Sequence, residues 1–82
     1  MKGTGHMEER VIKVLADNID GIEEYNGSNL FEDGMLDSFQ VIDIVGDLEE
    51  EFDIEIDAKY VVEENFLSVE SIISLVKSII EQ

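Results

Sequence analysis

Apolar residues recur at helical spacing in three stretches of the chain. In the first, Val11, Ile12, Val14, Leu15 and Ile19 share one side, with Glu9, Arg10, Lys13 and Asp17 opposite, which predicts a helix over Glu8–Asn18. In the second, Val41, Ile44, Val45, Leu48 and Phe52 fall on one face of a helix running from Ser38 to Phe52, with Ile42 at its margin. Its other face collects Asp43, Gly46, Asp47, Glu50 and, against the pattern, Phe39. The third helix starts after Ser68, a good N-cap, with Glu70 in its first turn. Val69, Ile72, Ile73, Leu75, Val76, Ile79 and Ile80 form its apolar stripe.

The connections carry information too. Residues 20–37 are rich in Asn, Gly, Ser, Asp and Glu, yet contain Ile22, Tyr25, Leu30, Phe31, Met35 and Leu36. So long and apolar a loop is expected to be pinned onto the core. Asp53-Ile54-Glu55-Ile56-Asp57 alternates but is too short for a sheet, and reads as an extended connector burying two isoleucines. A short helix is expected over Ala58–Glu63. The fold class is therefore all-α, a small bundle with one long first loop.

Eighty-two residues make one small domain. Met1–His6 precedes a second methionine, Met7, and reads as a leader or tag remnant; residues 7–82 are expected to form the domain. The absence of cysteine excludes disulfides and thiolate metal sites. No stretch has the length of a signal sequence or a membrane span, and the cytoplasm is the default expectation.

Charge sharpens the picture. The formal net charge is −16, and every charged residue between Val14 and Ala58 is Asp or Glu. Such a field repels nucleic acid and anionic lipid, and attracts proteins with basic patches. Gly46 in a helix interior costs about 1 kcal/mol against alanine, so it calls for a reason such as close approach of a partner. Phe39 either joins the same docking face or folds back under the preceding loop.

Candidate chemistry is sparse. A serine nucleophile needs a base within hydrogen-bond reach, yet the single histidine is His6 and no lysine lies between Val14 and Ala58. An enzyme is not expected. Asp53, Glu55, Asp57 and Glu64 fall at calcium-loop spacing, but Ala58 replaces the turn glycine and Asn65-Phe66-Leu67-Ser68 breaks the helix that should follow. They are weak candidates for a metal site. An acidic calcium-binding or interaction module without a covalent cofactor is the reading from another class.

Ser38 remains. It lies where a polar, glycine-containing loop gives way to a helix, and a helix N-terminus favours an attached phosphate. Leu30-Phe31-Glu32-Asp33-Gly34-Met35-Leu36-Asp37-Ser38, then a helix ending Leu48-Glu49-Glu50-Glu51-Phe52 and an Ile54-Glu55-Ile56 connector, resembles an acyl carrier protein. The similarity runs from about Glu8 to the C-terminus.

The resemblance implies a four-helix bundle of three longer helices and one short one. It implies that Ser38 carries 4′-phosphopantetheine, donated from coenzyme A by a magnesium-dependent phosphopantetheinyl transferase (a holo-carrier synthase). Asp37 takes the role of the adjacent acid that helps hold the metal during transfer. Acyl or aminoacyl groups would ride as thioesters on the arm, delivered to loading and partner enzymes with basic docking patches. Phe39, Asp43, Gly46, Asp47 and Glu50 would form the docking face of a monomer. The commonest carriers of fatty acid biosynthesis have Leu where this chain has Phe39, and a larger apolar residue where it has Gly46. The Leu36-Asp37-Ser38 ending is similar to D-alanyl carriers and to carriers that work beside an AMP-forming ligase. Residues Glu64–Ile72 look more like general stand-alone acyl carriers.

Overall fold

The computed structural model describes the backbone of residues 4–82 and the side chains from Met7 onward. Helix α1 spans Thr4–Asn18, α2 spans Ser38–Phe52 and α3 spans Val69–Ile80, with 3-10 turns at Ile22–Glu24, Ala58–Tyr60 and Glu63–Phe66. The all-α class holds, and no strand occurs among the described residues. Helix α1 begins four residues before the expected Glu8, inside the segment read as a leader. Residues 1–3 of that segment lie outside the described residues.

The apolar periodicity translates directly into the core. Val11, Val14, Leu15 and Ile19 of α1, Val41, Ile44 and Leu48 of α2, and Ile72, Leu75 and Val76 of α3 are buried together. Val45, Phe52, Val69, Ile73 and Ile79 are partly buried against them. Full burial of a side chain of this size stabilises by about 1.5–3 kcal/mol, so these three stripes supply most of the driving force. Ile80, expected in the α3 stripe, is 45% exposed because it lies in the last turn, beyond the reach of the core.

The long first connection is pinned as its composition requires. Ile22, Leu30 and Leu36 are buried, and the Leu30 amide donates to the Leu67 carbonyl at 2.7 Å, tying the loop to the entrance of α3. Within the loop, the Tyr25 hydroxyl donates to Asp33 Oδ2 at 2.6 Å and accepts from the Asn29 amide at 3.0 Å. Gly27 leaves room for this pair, since a Cβ there would overlap the Asp33 carboxylate and the Tyr25 ring and displace their hydrogen bond.

Helix α2 ends on Asp53, which adopts a left-handed conformation (φ 54°, ψ 50°) that aspartate tolerates better than most residues. The Asp53 and Ile54 amides both donate to the Glu49 carbonyl. The Glu49 side chain in turn accepts from the Ile56 amide at 2.8 Å, which turns the connector inward and buries Ile56. Arg10 of α1 closes the same end: its guanidinium pairs with Glu51 Oε2 at 2.7 Å, donates to the Glu51 carbonyl, and lies 4.5 Å from the Phe52 ring centroid.

The expected short helix over Ala58–Glu63 is replaced by two 3-10 turns. Asp57 caps the first by accepting from the Lys59 amide at 3.0 Å. Val61 (φ −87°, ψ 71°) and Val62 (φ −126°, ψ 153°) then leave the helical region, as adjacent β-branched residues readily do. The second turn restarts at Glu63 and drives Phe66 fully into the core, which fixes its geometry more firmly than any helical propensity. Ser68 caps α3, its hydroxyl accepting from the Ser71 amide at 3.1 Å.

Candidate functional site

The start of α2 is capped by the residue before Ser38. Asp37, with extended backbone, is the N-cap: its Oδ1 accepts from the Gln40 amide at 2.9 Å, and Gln40 Oε1 accepts from the Asp37 amide at 3.1 Å. Such a reciprocal box fixes the first turn. Gln40 also donates to the Asn18 carbonyl at 3.1 Å, anchoring this turn to the end of α1.

Ser38 is therefore the first helical residue rather than the cap, and it is exposed. Among the described residues its hydroxyl has no hydrogen-bond partner, and no acceptor is seen for the Ser38 and Phe39 amides. A rigid turn thus presents a free hydroxyl beside two free donors at the positive end of a 15-residue helix. The uncapped oxygen of Asp37 adjoins them.

A shallow groove of about 440 Å³ opens beside Ser38, lined by Phe31, Val41, Ile42, Val61, Val62 and Glu63. Sequence reasoning missed the contribution of Val61, Val62 and Glu63. It placed them on a continuous helix, whereas the break at the valine pair turns them toward α2. The paired β-branched residues were the available signal.

The exposed face of α2 carries Phe39 at 82% and Ile42 at 67% exposure, with Asp43, Gly46, Asp47 and Glu50 also exposed. Phe39 does not fold back under the loop. Ile42, expected at the core margin, faces solvent. Asp47 accepts from Asn18 Nδ2 at 2.9 Å and is held in place by it.

The calcium-loop candidates are not brought together. Asp53 ends α2, Asp57 caps a 3-10 turn, and Glu55 and Glu64 are exposed. Among the described residues no three His, Asp or Glu side chains converge as metal ligands. Nor is any helix long and apolar enough to cross a membrane.

Residues that could take a phosphorylated arm are thus present at one point: an unengaged hydroxyl, free amides for a phosphate and an apolar groove alongside. No curated protein and no solved structure matches the chain at a significant level. A protein-family model described as the phosphopantetheine attachment site matches residues 9–76, which take in all of α2, most of α1 and α3, and the loop that leads to Ser38. The chain belongs to the phosphopantetheine attachment-site family, whose members are carriers of a covalent 4′-phosphopantetheine rather than catalysts.

Proposed function

We propose that Ser38 is the attachment residue and that the protein carries acyl or aminoacyl groups as thioesters on the arm. The observation that carries this is the separation of duties at the helix start. Asp37 and Gln40 do the capping, so Ser38 Oγ is exposed and unengaged while its surroundings remain rigid. Because Asp37 and Gln40 make the cap, esterifying Ser38 Oγ removes none of the hydrogen bonds that hold this turn.

Bound there, the arm supplies the thiol that the cysteine-free chain lacks. The chain's own residues then do three things. The Ser38 and Phe39 amides, with the helix dipole, stabilise the phosphodiester. The free oxygen of Asp37 offers one carboxylate ligand to the magnesium of the transferase; such sites commonly combine one or two carboxylates with substrate phosphates. Phe39, Asp43, Gly46, Asp47 and Glu50, now joined by Ile42, meet partner enzymes, with apolar contact near the serine and acids farther along for steering by basic patches. Delivery of the cargo follows from this division: the bundle is recognised, and chemistry proceeds on the arm inside the partner.

Carriage of an aminoacyl group loaded by an AMP-forming ligase is a narrower form of the same proposal, supported by the Leu36-Asp37-Ser38 ending. The family assignment makes a phosphopantetheinyl transferase and a loading enzyme partners in general terms. We place these encounters in the cytoplasm, with the carrier as a monomer. The test is incubation of wild type and Ser38→Ala with a promiscuous transferase, coenzyme A and magnesium. Wild type gains one phosphopantetheine, and Ser38→Ala gains none while keeping its helical circular dichroism.

A further inference from the structure

Gly46 has no explanation inside the molecule. It sits in the middle of α2, where glycine weakens a helix relative to alanine. A Cβ built there would meet nothing within 4 Å, so no neighbouring element needs the space. Its φ does not lie in the left-handed region, as those of Gly21 and Gly34 do. Neither a turn nor a close approach within this chain requires glycine.

Its surroundings point outward. Positions 39, 42, 43, 46 and 50 fall along one exposed stripe of α2, because seven helical residues bring the chain back to nearly the same azimuth. Along that stripe the exposed Phe39 and Ile42 stand up on the Ser38 side, and Glu50 follows one turn beyond. Gly46 is a gap between an apolar ridge and an acidic one. Eight residues separate it from Ser38, a rise of about 12 Å along the axis.

An enzyme that attaches a group to Ser38 must place its active site over that hydroxyl. A standard interface covers roughly 800 Å² on each partner, equivalent to a disc of roughly 16 Å radius, so its footprint extends past Gly46.

We propose that Gly46 is a notch in the docking face that receives a bulky apolar side chain of the phosphopantetheinyl transferase, ringed by Lys or Arg. Asp43, Asp47 and Glu50 flank the notch and supply the complementary charge. This rests on the reading of Ser38 as the attachment site and deepens it: the notch makes Gly46 a specificity determinant. A carrier with a large residue at this point presents a knob where this one presents a hole, and a transferase shaped for one fits the other poorly.

The experiment compares wild type, Gly46→Ala and Gly46→Leu as substrates of the purified transferase from the same host, with coenzyme A and magnesium, alongside thermal melting. Both variants remove a helix-weakening glycine into open space. Gly46→Ala should raise Tm by about 4–8 °C. The expected kinetic result is a KM for the carrier that rises modestly for Gly46→Ala and on the order of tenfold for Gly46→Leu, despite the greater stability. An unchanged or lower KM for Gly46→Leu overturns the notch. Failure of the wild type itself to be modified at Ser38 overturns the attachment reading instead, so the two are told apart.

Discussion

Asp37 and Gln40 grip each other across the first turn of α2, the aspartate carboxylate accepting from the Gln40 amide at 2.9 Å and the Gln40 side chain accepting from the Asp37 amide at 3.1 Å. Ser38, the proposed attachment residue, lies between the cap and its box partner and takes no part in the box. On that proposal, stability and attachment fall to adjacent side chains.

That division can be read out by melting. Asp37→Ala removes the cap and should cost about 1 kcal/mol. Ser38→Ala should stay within about 0.5 kcal/mol of wild type, as an exposed substitution away from any bonded network. Asp37→Asn keeps a capping oxygen, so it should melt near wild type yet slow arm transfer by losing the charge offered to magnesium. Equal destabilisation by Ser38→Ala and Asp37→Ala in urea or thermal titrations would contradict the assignment.

Alkaline pH should loosen the first connection. The Tyr25 phenol is held above its ordinary value of 10.0, first by desolvation and then by its hydrogen bond to Asp33. Ionisation comes more easily in the unfolded chain, so this contribution is complete below pH 10.0 and declines as pH rises through the folded value. Tyr25→Phe should therefore remove part of the stability loss seen above pH 10, measured by melting wild type and variant across that range.

Screening should help this molecule more than binding. A net charge of −16 on 82 residues opposes compaction, so added NaCl should raise Tm. Because no three acidic side chains converge among the described residues, magnesium or calcium chloride should act as a general screening salt. A saturable rise at submillimolar calcium, lost in Glu64→Gln, would instead restore the acidic calcium module.

Much of the fold was legible because α2 and α3 obey simple rules. Val41, Ile44 and Leu48 repeat at helical spacing and are buried, and Ser68 caps as a serine in front of an apolar stripe should. The short helix over Ala58–Glu63 misled because its one local warning, the Val61-Val62 pair, is a weak signal; burial of Phe66, a tertiary event, reinforces the break. At the candidate site, Ser38 and Asp37 were visible as a loop-to-helix boundary, yet which of them caps depends on a backbone dihedral that composition does not reveal. The Val61-Val62-Glu63 wall of the groove was hidden by the same mistaken helix. Conversely, Gly46 was conspicuous in sequence and stays unexplained by any contact within the molecule.

The central claim is that a single exposed hydroxyl holds the arm. The most direct measurement is the intact mass of the protein purified from its native host, followed by peptide mapping. The account predicts the mass of the chain plus one phosphopantetheine, with or without a thioester-bound acyl or aminoacyl group, all of it on the peptide containing Ser38. An unmodified mass, or a pantetheine group located at any other residue, contradicts it.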